Sequence, residues 1–165
     1  MSQEFMQMAV DWPKGNQFED FHVGQEFDHH WGRTIFHQDT ILFTTLTLSY
    51  NPLYLNKSYA AAHGHPDIVV NPQLVFNMVL GMSVEDCSEA GGPFLGVYDL
   101  KYHRQIYPGT TLTARSVTVE TRLSASNPSN GIVTWETVGS DEKGDPVVSF
   151  RRSNLIRLRN PQVAR

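Results

Sequence analysis

The sequence predicts an α+β domain in which a long antiparallel sheet curves around one short apolar helix, and two observations carry that prediction. Residues 71–83, NPQLVFNMVLGMS, are apolar in nearly every helical direction, interrupted only by Gln73, Asn77 and Ser83. A helix without a polar face belongs inside a protein, and this one falls short of the ~20 apolar residues that span a bilayer, so the chain itself must cover it. From Gly91-Gly92-Pro93 onward the pattern is strand-like, broken by turns at 107–110, 127–131 and 141–145.

At 165 residues the chain is long enough for one domain with a real core. The expected division is an arm over 1–17, a single domain over 18–159 and a tail over 160–165. A net charge of −4 argues against general nucleic-acid binding, so a phosphate-bearing ligand would need local positive charge. Cys87 is the only cysteine, which excludes an intrachain disulfide and a Cys-based zinc site within one chain. The start shows no charged residue followed by an apolar run of secretory type, so a reducing, cytoplasmic setting is expected, without membrane, metal or cofactor.

Taken in order, residues 1–17 carry scattered apolar positions and then Pro13, Gly15 and Asn16 as breakers. Residues 18–35 turn at Val23-Gly24 and continue in GQEFDHHWGRTI, an extended segment expected to end in Gly32. His22, His29 and His30 raise a metal reading, but neighbours in a strand face opposite ways, so His29 and His30 do not converge on one ion. Asp39 is the expected N-cap of a first helix, with Ile41, Leu42, Thr45, Leu46 and Ser49 at helical spacing and an end near Tyr50. Pro52 biases Asn51 away from the helical region. The irregular SYNPLY stretch that results follows a rigid element, a natural place for chemistry. A short helix over 58–62 leads through the HGHPD loop, 63–67, to the apolar helix, which Asn71 caps and Pro72 begins.

Beyond that helix, Asp86 and Glu89 read as its exposed end and Cys87 as a packed, inert thiol. Residues 94–106 alternate, with Tyr98, Leu100 and Tyr102 on one face and Val97, Asp99, Lys101 and His103 on the other. The strand over 111–123 shifts phase between Ala114 and Val117, which suggests a bulge, and strands over 132–139 and 147–159 close the sheet. One early strand, two small helices, one buried helix and at least four long strands add up to a hot-dog arrangement. Such a sheet covers one face of its helix and leaves an edge strand. Pairing of two hot-dogs, homo- or heteromeric, into a dimer or larger assembly is therefore expected.

The stretches DFHVGQEF with GRTI, FTTLTLSYNPLYLN, IVVNPQLVFNMVLGMSVED, FLGVYDLKYHRQIYPGTTL and GIVTWETVGSDEKGDPVVSFRR occur here in order. As an ordered set they resemble the MaoC-like hydratase/dehydratase family, and more narrowly its mesaconyl-CoA hydratase-like branch. The resemblance covers about 18–158 and implies a hot-dog fold acting on acyl thioesters of CoA or a carrier protein. The reaction it implies is reversible addition of water across an α,β-unsaturated thioester. That chemistry needs an acid and a base beside one water and a donor for the thioester oxygen, such as a backbone N–H at the start of the buried helix.

The family loop reads Asp-x-Asn-Pro-Leu-His; here it reads Ser49-Tyr50-Asn51-Pro52-Leu53-Tyr54. Ser49 stands for the Asp, Tyr54 for the His, and Pro72 stands at the helix start, where many relatives have Gly, without an N–H to donate. One reading is a divergent lyase in which Tyr54 donates a proton and His63, His65 or Asp67 supplies a base. The other is a hot-dog that has lost the family chemistry and binds a thioester, scaffolds a catalytic hot-dog partner, or catalyses a different reaction on a bound intermediate. The candidate catalytic set is Tyr54, Ser49, Asn51, His63 and His65; the candidate substrate-binding set is Tyr50, Asn71, Pro72, Gly96 and Arg104. Lys101, Arg104, Arg151, Arg152 and Arg157 are the cations that could meet CoA phosphates, and the Asn71 amide could cap its helix or bind a ligand carbonyl.

Overall fold

The computed structural model describes residues 14–160; residues 1–13 of the expected arm and 161–165 of the expected tail lie outside them. After a 3-10 turn at Phe18–Asp20 come two short strands, β1 (Glu26–Asp28) and β2 (Arg33–Thr34). Five helices follow: α1 (His37–Leu46), α2 (Pro52–Leu55), α3 (Lys57–Ala62), α4 (Pro72–Met82) and α5 (Val84–Ser88). Four long strands end the domain: β3 (Phe94–Tyr102), β4 (Thr111–Leu123), β5 (Asn130–Ser140) and β6 (Pro146–Arg157). All pairings are antiparallel, in the order β1-β4-β5-β6-β3, with β2 also on β4. The long strands form where Val, Thr, Ile and Phe concentrate, side chains that suit a pleated, half-buried surface.

The apolar helix of the sequence is α4, and it packs across one face of this sheet. Leu74, Val75, Val79 and Met82 meet Ile35, Leu112, Ala114, Val147, Val148 and Phe150 in one buried cluster, each such aliphatic side chain contributing about 1.5–3 kcal/mol. Gly139 lets the helix sit this close, because a Cβ there would run into the side chain of Val79. The sheet covers only one side: Gln73, Asn77 and Gly81, spaced four apart, form an exposed stripe. Burial on all sides, expected from composition, is thus not reached within one hot-dog.

Local geometry revises several boundaries. Asp39 lies inside α1 and is not its cap; its carboxylate accepts the Phe36 N–H at 2.9 Å and the Arg33 guanidinium at 2.7 Å. The helix stops at Leu46 in a Schellman turn, with Leu48 N–H on Thr45 O and Ser49 N–H on Thr44 O. Leu48 takes the left-handed position of that turn, φ 56. SYNPLY contains a helical turn, α2, because Asn51 accepts the Leu53 N–H and Pro52 sits at the first position. The early extended segment stops at Asp28, short of Gly32, and a second strand, β2, follows that glycine; the bulge in β4 falls between Thr118 and Glu120, later than the phase shift suggested.

In β3, Tyr98 pairs with Arg151 and Tyr102 with Val148, so four steps on one strand match three on the other around Asp99, φ 53. This bulge puts Tyr98 and Tyr102 on opposite faces, against the simple alternation read from the sequence.

At the C-terminal end of α4 the packing is polar. Arg152 is 1% exposed, donates to Ser83 O at 3.0 Å and Ser88 Oγ at 3.2 Å, and lies 5.2 Å from the Trp135 ring centre. It is a core residue, not a solvated cation available to a phosphate, and its burial pushes its pKa down. Beside it, His29 Nδ1 bonds Asp86 Oδ2 at 2.6 Å, His29 Nε2 bonds Ser116 Oγ at 2.8 Å, and Ser116 bonds Thr137 at 2.8 Å. Asp86 is therefore a structural partner and more than an end marker, while His30, just past the end of β1, is exposed. Residues 14–17 run along α5, with Asn16 Nδ2 on Asp86 O at 2.7 Å.

Candidate functional site

Four turns in succession set the site. The Schellman turn after α1 releases Ser49 and Tyr50 into a loop, where Ser49 Oγ accepts from Thr47 Oγ1 at 3.2 Å. Asn51 Oδ1 then caps α2 through the Leu53 N–H at 3.0 Å, and Asn56 Oδ1 caps α3 through Tyr59 N–H at 3.0 Å. Asn71 caps α4 in the same manner, accepting the Gln73 N–H at 2.9 Å. The caps fold the α1–α2 loop against the start of α4. Ser49, Tyr50, Asn51, Tyr54, Asn71, Pro72 and Gln73 line one open depression of about 380 Å³. Six of the ten candidate residues meet there.

A second, more apolar cavity of about 270 Å³ shares Tyr54 and Pro72 with that depression. Its walls include Leu53, Val69, Val70, Val75, Ile106 and Val147, with Tyr102, Gln105 and Arg104 supplying the polar groups. Arg104 bonds Asp141 Oδ2. Desolvation pushes the Asp141 carboxyl up, but the N–H of Asp145, the Arg104 guanidinium and the N–H of Lys143 outweigh it and hold the group below the usual carboxylate range. Burial, and then the neighbouring Tyr54 phenol, push the Tyr102 phenol up, so Tyr102 stays an O–H donor at neutral pH. Tyr102 escaped the sequence reading because the β3 bulge reverses its phase.

The remaining candidates lie elsewhere. His63 Nδ1–H donates to Tyr59 O at 2.8 Å, and its ring stacks on Tyr59 with centroids 4.1 Å apart. His65 bonds the Tyr107 hydroxyl at 3.1 Å. Asp67 bonds His37 Nε2 at 2.9 Å and the N–H of Ile68. Gly96 pairs with Ser153 in β3, outside both depressions. Among the described residues no Asp, Glu or His lines either space.

The start of α4 offers few donors. Pro72 has no N–H; Gln73 N–H is taken by Asn71 Oδ1, and Leu74 and Val75 N–H by Asn71 O at 3.0 and 3.3 Å. The cap fixes which way the Asn71 amide faces, since Oδ1 must accept. Its Nδ2 then makes no hydrogen bond among the described residues. The two roles considered for Asn71 do not compete for one atom: Oδ1 makes the cap, and the cap does not use Nδ2.

Comparison with known proteins places this geometry. The model of a family described as mesaconyl-CoA hydratase matches residues 3–165. The chain belongs to the mesaconyl-CoA hydratase family. A mesaconyl-CoA hydratase from Haloarcula hispanica is 41% identical over 149 residues, which cover 90% of this chain and 42% of that one. The chain thus spans less than half the length of this relative. Among solved structures, a MaoC domain protein dehydratase from Chloroflexus aurantiacus superposes with a TM-score of 0.86 at 29% identity, covering 94% of this chain and 44% of its own. A Mycobacterium tuberculosis protein described as a double hot-dog gives a TM-score of 0.81 at 24% identity, covering 92% and 46%. The hot-dog fold and the family expected from the ordered stretches therefore hold.

Proposed function

We propose that this chain forms the thioester-binding hot-dog of a hydratase/dehydratase acting on a CoA ester, beside a second hot-dog that supplies the water-activating acid–base pair. The observation that carries this reading is the meeting of Tyr54, Asn71 and Pro72 at the start of α4, over an apolar cavity, in a member of this family. Hydration forms a C–O bond at the β-carbon and a C–H bond at the α-carbon, through negative charge on the thioester oxygen. The Asn71 Nδ2–H group donates to that oxygen, in the place where Pro72 cannot. A preorganised donor of this kind is worth about 10²–10³ in rate. The Tyr54 hydroxyl delivers the α-proton and takes it back in dehydration, Ser49 Oγ holds the water, and Tyr50 walls the depression.

The base is the missing part. Ser49 does not ionise near neutral pH, and a phenol begins near 10. His63 and His65 are engaged with Tyr59 and Tyr107, which favours a base from a neighbouring hot-dog over one from the 63–67 loop. The edge strand supports such a neighbour: among the described residues β3 has one strand partner, and Phe94, Leu95, Tyr98, Leu100 and Tyr102 on it are 39–50% exposed. An open, apolar edge is a template for pairing. Cytoplasmic placement accords with a single buried thiol, and among the described residues no helix is long and apolar enough to cross a membrane.

The test is turnover of mesaconyl-CoA and simpler enoyl-CoA esters, followed as gain of one water by mass. The expected result is little turnover by the purified chain alone and robust turnover with a hot-dog partner that retains the Asp and His. Tyr54→Phe should lower that turnover about 100-fold. Robust activity of the chain by itself would sink the partner reading, and an unchanged Tyr54→Phe rate would remove Tyr54 from the proton transfer.

A further inference from the structure

We infer that Tyr102 is a second donor to the thioester oxygen, its phenol O–H meeting that oxygen from the sheet while the Asn71 amide meets it from the start of the helix. The inference rests on the thioester reading above and adds to it a catalytic residue that comes from β3 and not from the site loop.

Strand register puts the phenol where this role needs it. Tyr102 pairs with Val148, whose side chain is buried in the cluster around α4, so both point to the helix side of the sheet. Its ring lines the cavity of about 270 Å³ together with Tyr54 and Pro72. Tyr98, on the same strand, lines a groove on the opposite face among Glu120, Arg122 and Arg151. What parts the two tyrosines is Asp99, φ 53, a residue with a Cβ in the left-handed region inside a strand. Such strain persists only where the surroundings impose it, and it clusters at functional sites. Its visible product here is one phenol delivered to the cavity.

Proton chemistry divides the two phenols. In the reading above Tyr54 gives its proton to the α-carbon, so it cannot also hold the developing oxyanion with that proton. Tyr102 can. Burial, and then the neighbouring Tyr54, push its pKa up, and a Tyr54 phenolate would hold the Tyr102 proton more firmly still, since like charges disfavour a second ionisation. The Tyr102 hydroxyl makes no hydrogen bond among the described residues, whereas Arg104 in the same wall is engaged with Asp141. Pro72 is shared by the cavity and by the depression that Asn71 lines, and it contributes no N–H. An oxyanion between apolar walls needs donors in place before its charge develops, and the phenol and the amide are neutral donors on either side of that proline's two spaces.

The test reads the oxygen itself. Crotonyl-CoA isotopically labelled at the thioester carbonyl is bound to the full chain, and its carbonyl stretch is followed by difference infrared spectroscopy, because a donor at the oxygen lowers that frequency. In the wild type the stretch should fall below that of the ester in buffer. Tyr102→Phe should return much of the shift with affinity nearly unchanged, and Tyr54→Phe should leave the shift in place. In the partnered assembly Tyr102→Phe should lower kcat about 100-fold at nearly constant KM, the effect of losing one oxyanion donor. A shift kept in full by Tyr102→Phe, or lost in Tyr54→Phe, would overturn the inference while the thioester reading stands, as would a bound wild-type ester with no shift. Failure of the ester to bind would bring down the thioester reading and the inference with it. Should thermal unfolding show Tyr102→Phe to be misfolded, a tyrosine fluorinated beside its hydroxyl at position 102 decides: the more acidic phenol is the stronger donor and should lower the stretch further, and an unchanged stretch would overturn the inference.

Discussion

The two ends of α4 are built from opposite materials. At its C-terminal end His29, Asp86, Ser116 and Thr137 form one chain of hydrogen bonds, and nearby the Arg152 guanidinium bonds Ser83 O and Ser88 Oγ. At its N-terminal end, where the chain opens to ligand-sized spaces, the lining is phenol, amide, hydroxyl and proline. A search for acid, base and nucleophile by type alone would choose the first end. Yet the side chain of His29 is fully covered and Ser116 is 0% exposed, so no substrate reaches them. Ionisable groups there close a core beneath a helix terminus, where the guanidinium meets the terminal carbonyl of Ser83 and complements the helix dipole. The depression at the open end is lined by neutral groups that a ligand can reach. Access, more than inventory, separates a site from a seal.

Three substitutions test that division. Arg152→Ala removes two hydrogen bonds and the contact with Trp135, and should lower stability by about 3 kcal/mol, read by urea denaturation, with little change in CoA-ester affinity measured well below the transition. Arg152→Met should cost less, since it keeps much of the packing and removes a buried charge that has no carboxylate partner among the described residues. A large affinity loss in either variant, with folding intact, would blur the distinction between the ends.

Asn71→Asp should do the reverse. Asp is as good a cap as Asn, so stability should stay within about 1 kcal/mol, while loss of the N–H donor and the added negative charge should reduce thioester turnover, in the partnered assembly, by about 100-fold. Unchanged turnover would limit Asn71 to capping. The smallest effect is expected at Leu48, exposed and left-handed in the Schellman turn. Leu48→Gly should raise stability by roughly 0.5–1 kcal/mol in thermal or urea unfolding, and a loss would show that the leucine side chain packs on the site loop.

The architecture was legible because its signals are periodic. The apolar run 71–83, the turns at 107–110 and 141–145 and the Thr- and Val-rich stretches place α4 and the long strands close to where they lie. The candidate site was legible only as a meeting place: Ser49, Tyr50, Asn51, Tyr54, Asn71 and Pro72 line one depression. What escaped depends on features without period. One residue, Asp99, turns Tyr102 toward the cavity. Arg152 read as one cation among several until its strand register put it beside Trp135. His63 and His65 follow the site loop closely in sequence, but the α3 cap and the Gly64 turn direct them to Tyr59 and Tyr107. Distance along the chain was no guide to distance in space.

The closed end of α4 also holds a reporter of its own motion. Cys87 is the chain's only cysteine, is 0% exposed, and has its thiol pKa pushed up by burial, so both shielding and protonation keep it from thiol reagents. Alkylation must wait for α5 to lift from the sheet. The labelling rate in native buffer, compared with that of the unfolded chain, therefore counts the openings of this one region without any engineered probe. Followed with and without a CoA ester, it would show whether a ligand held at one end of α4 is felt at the other.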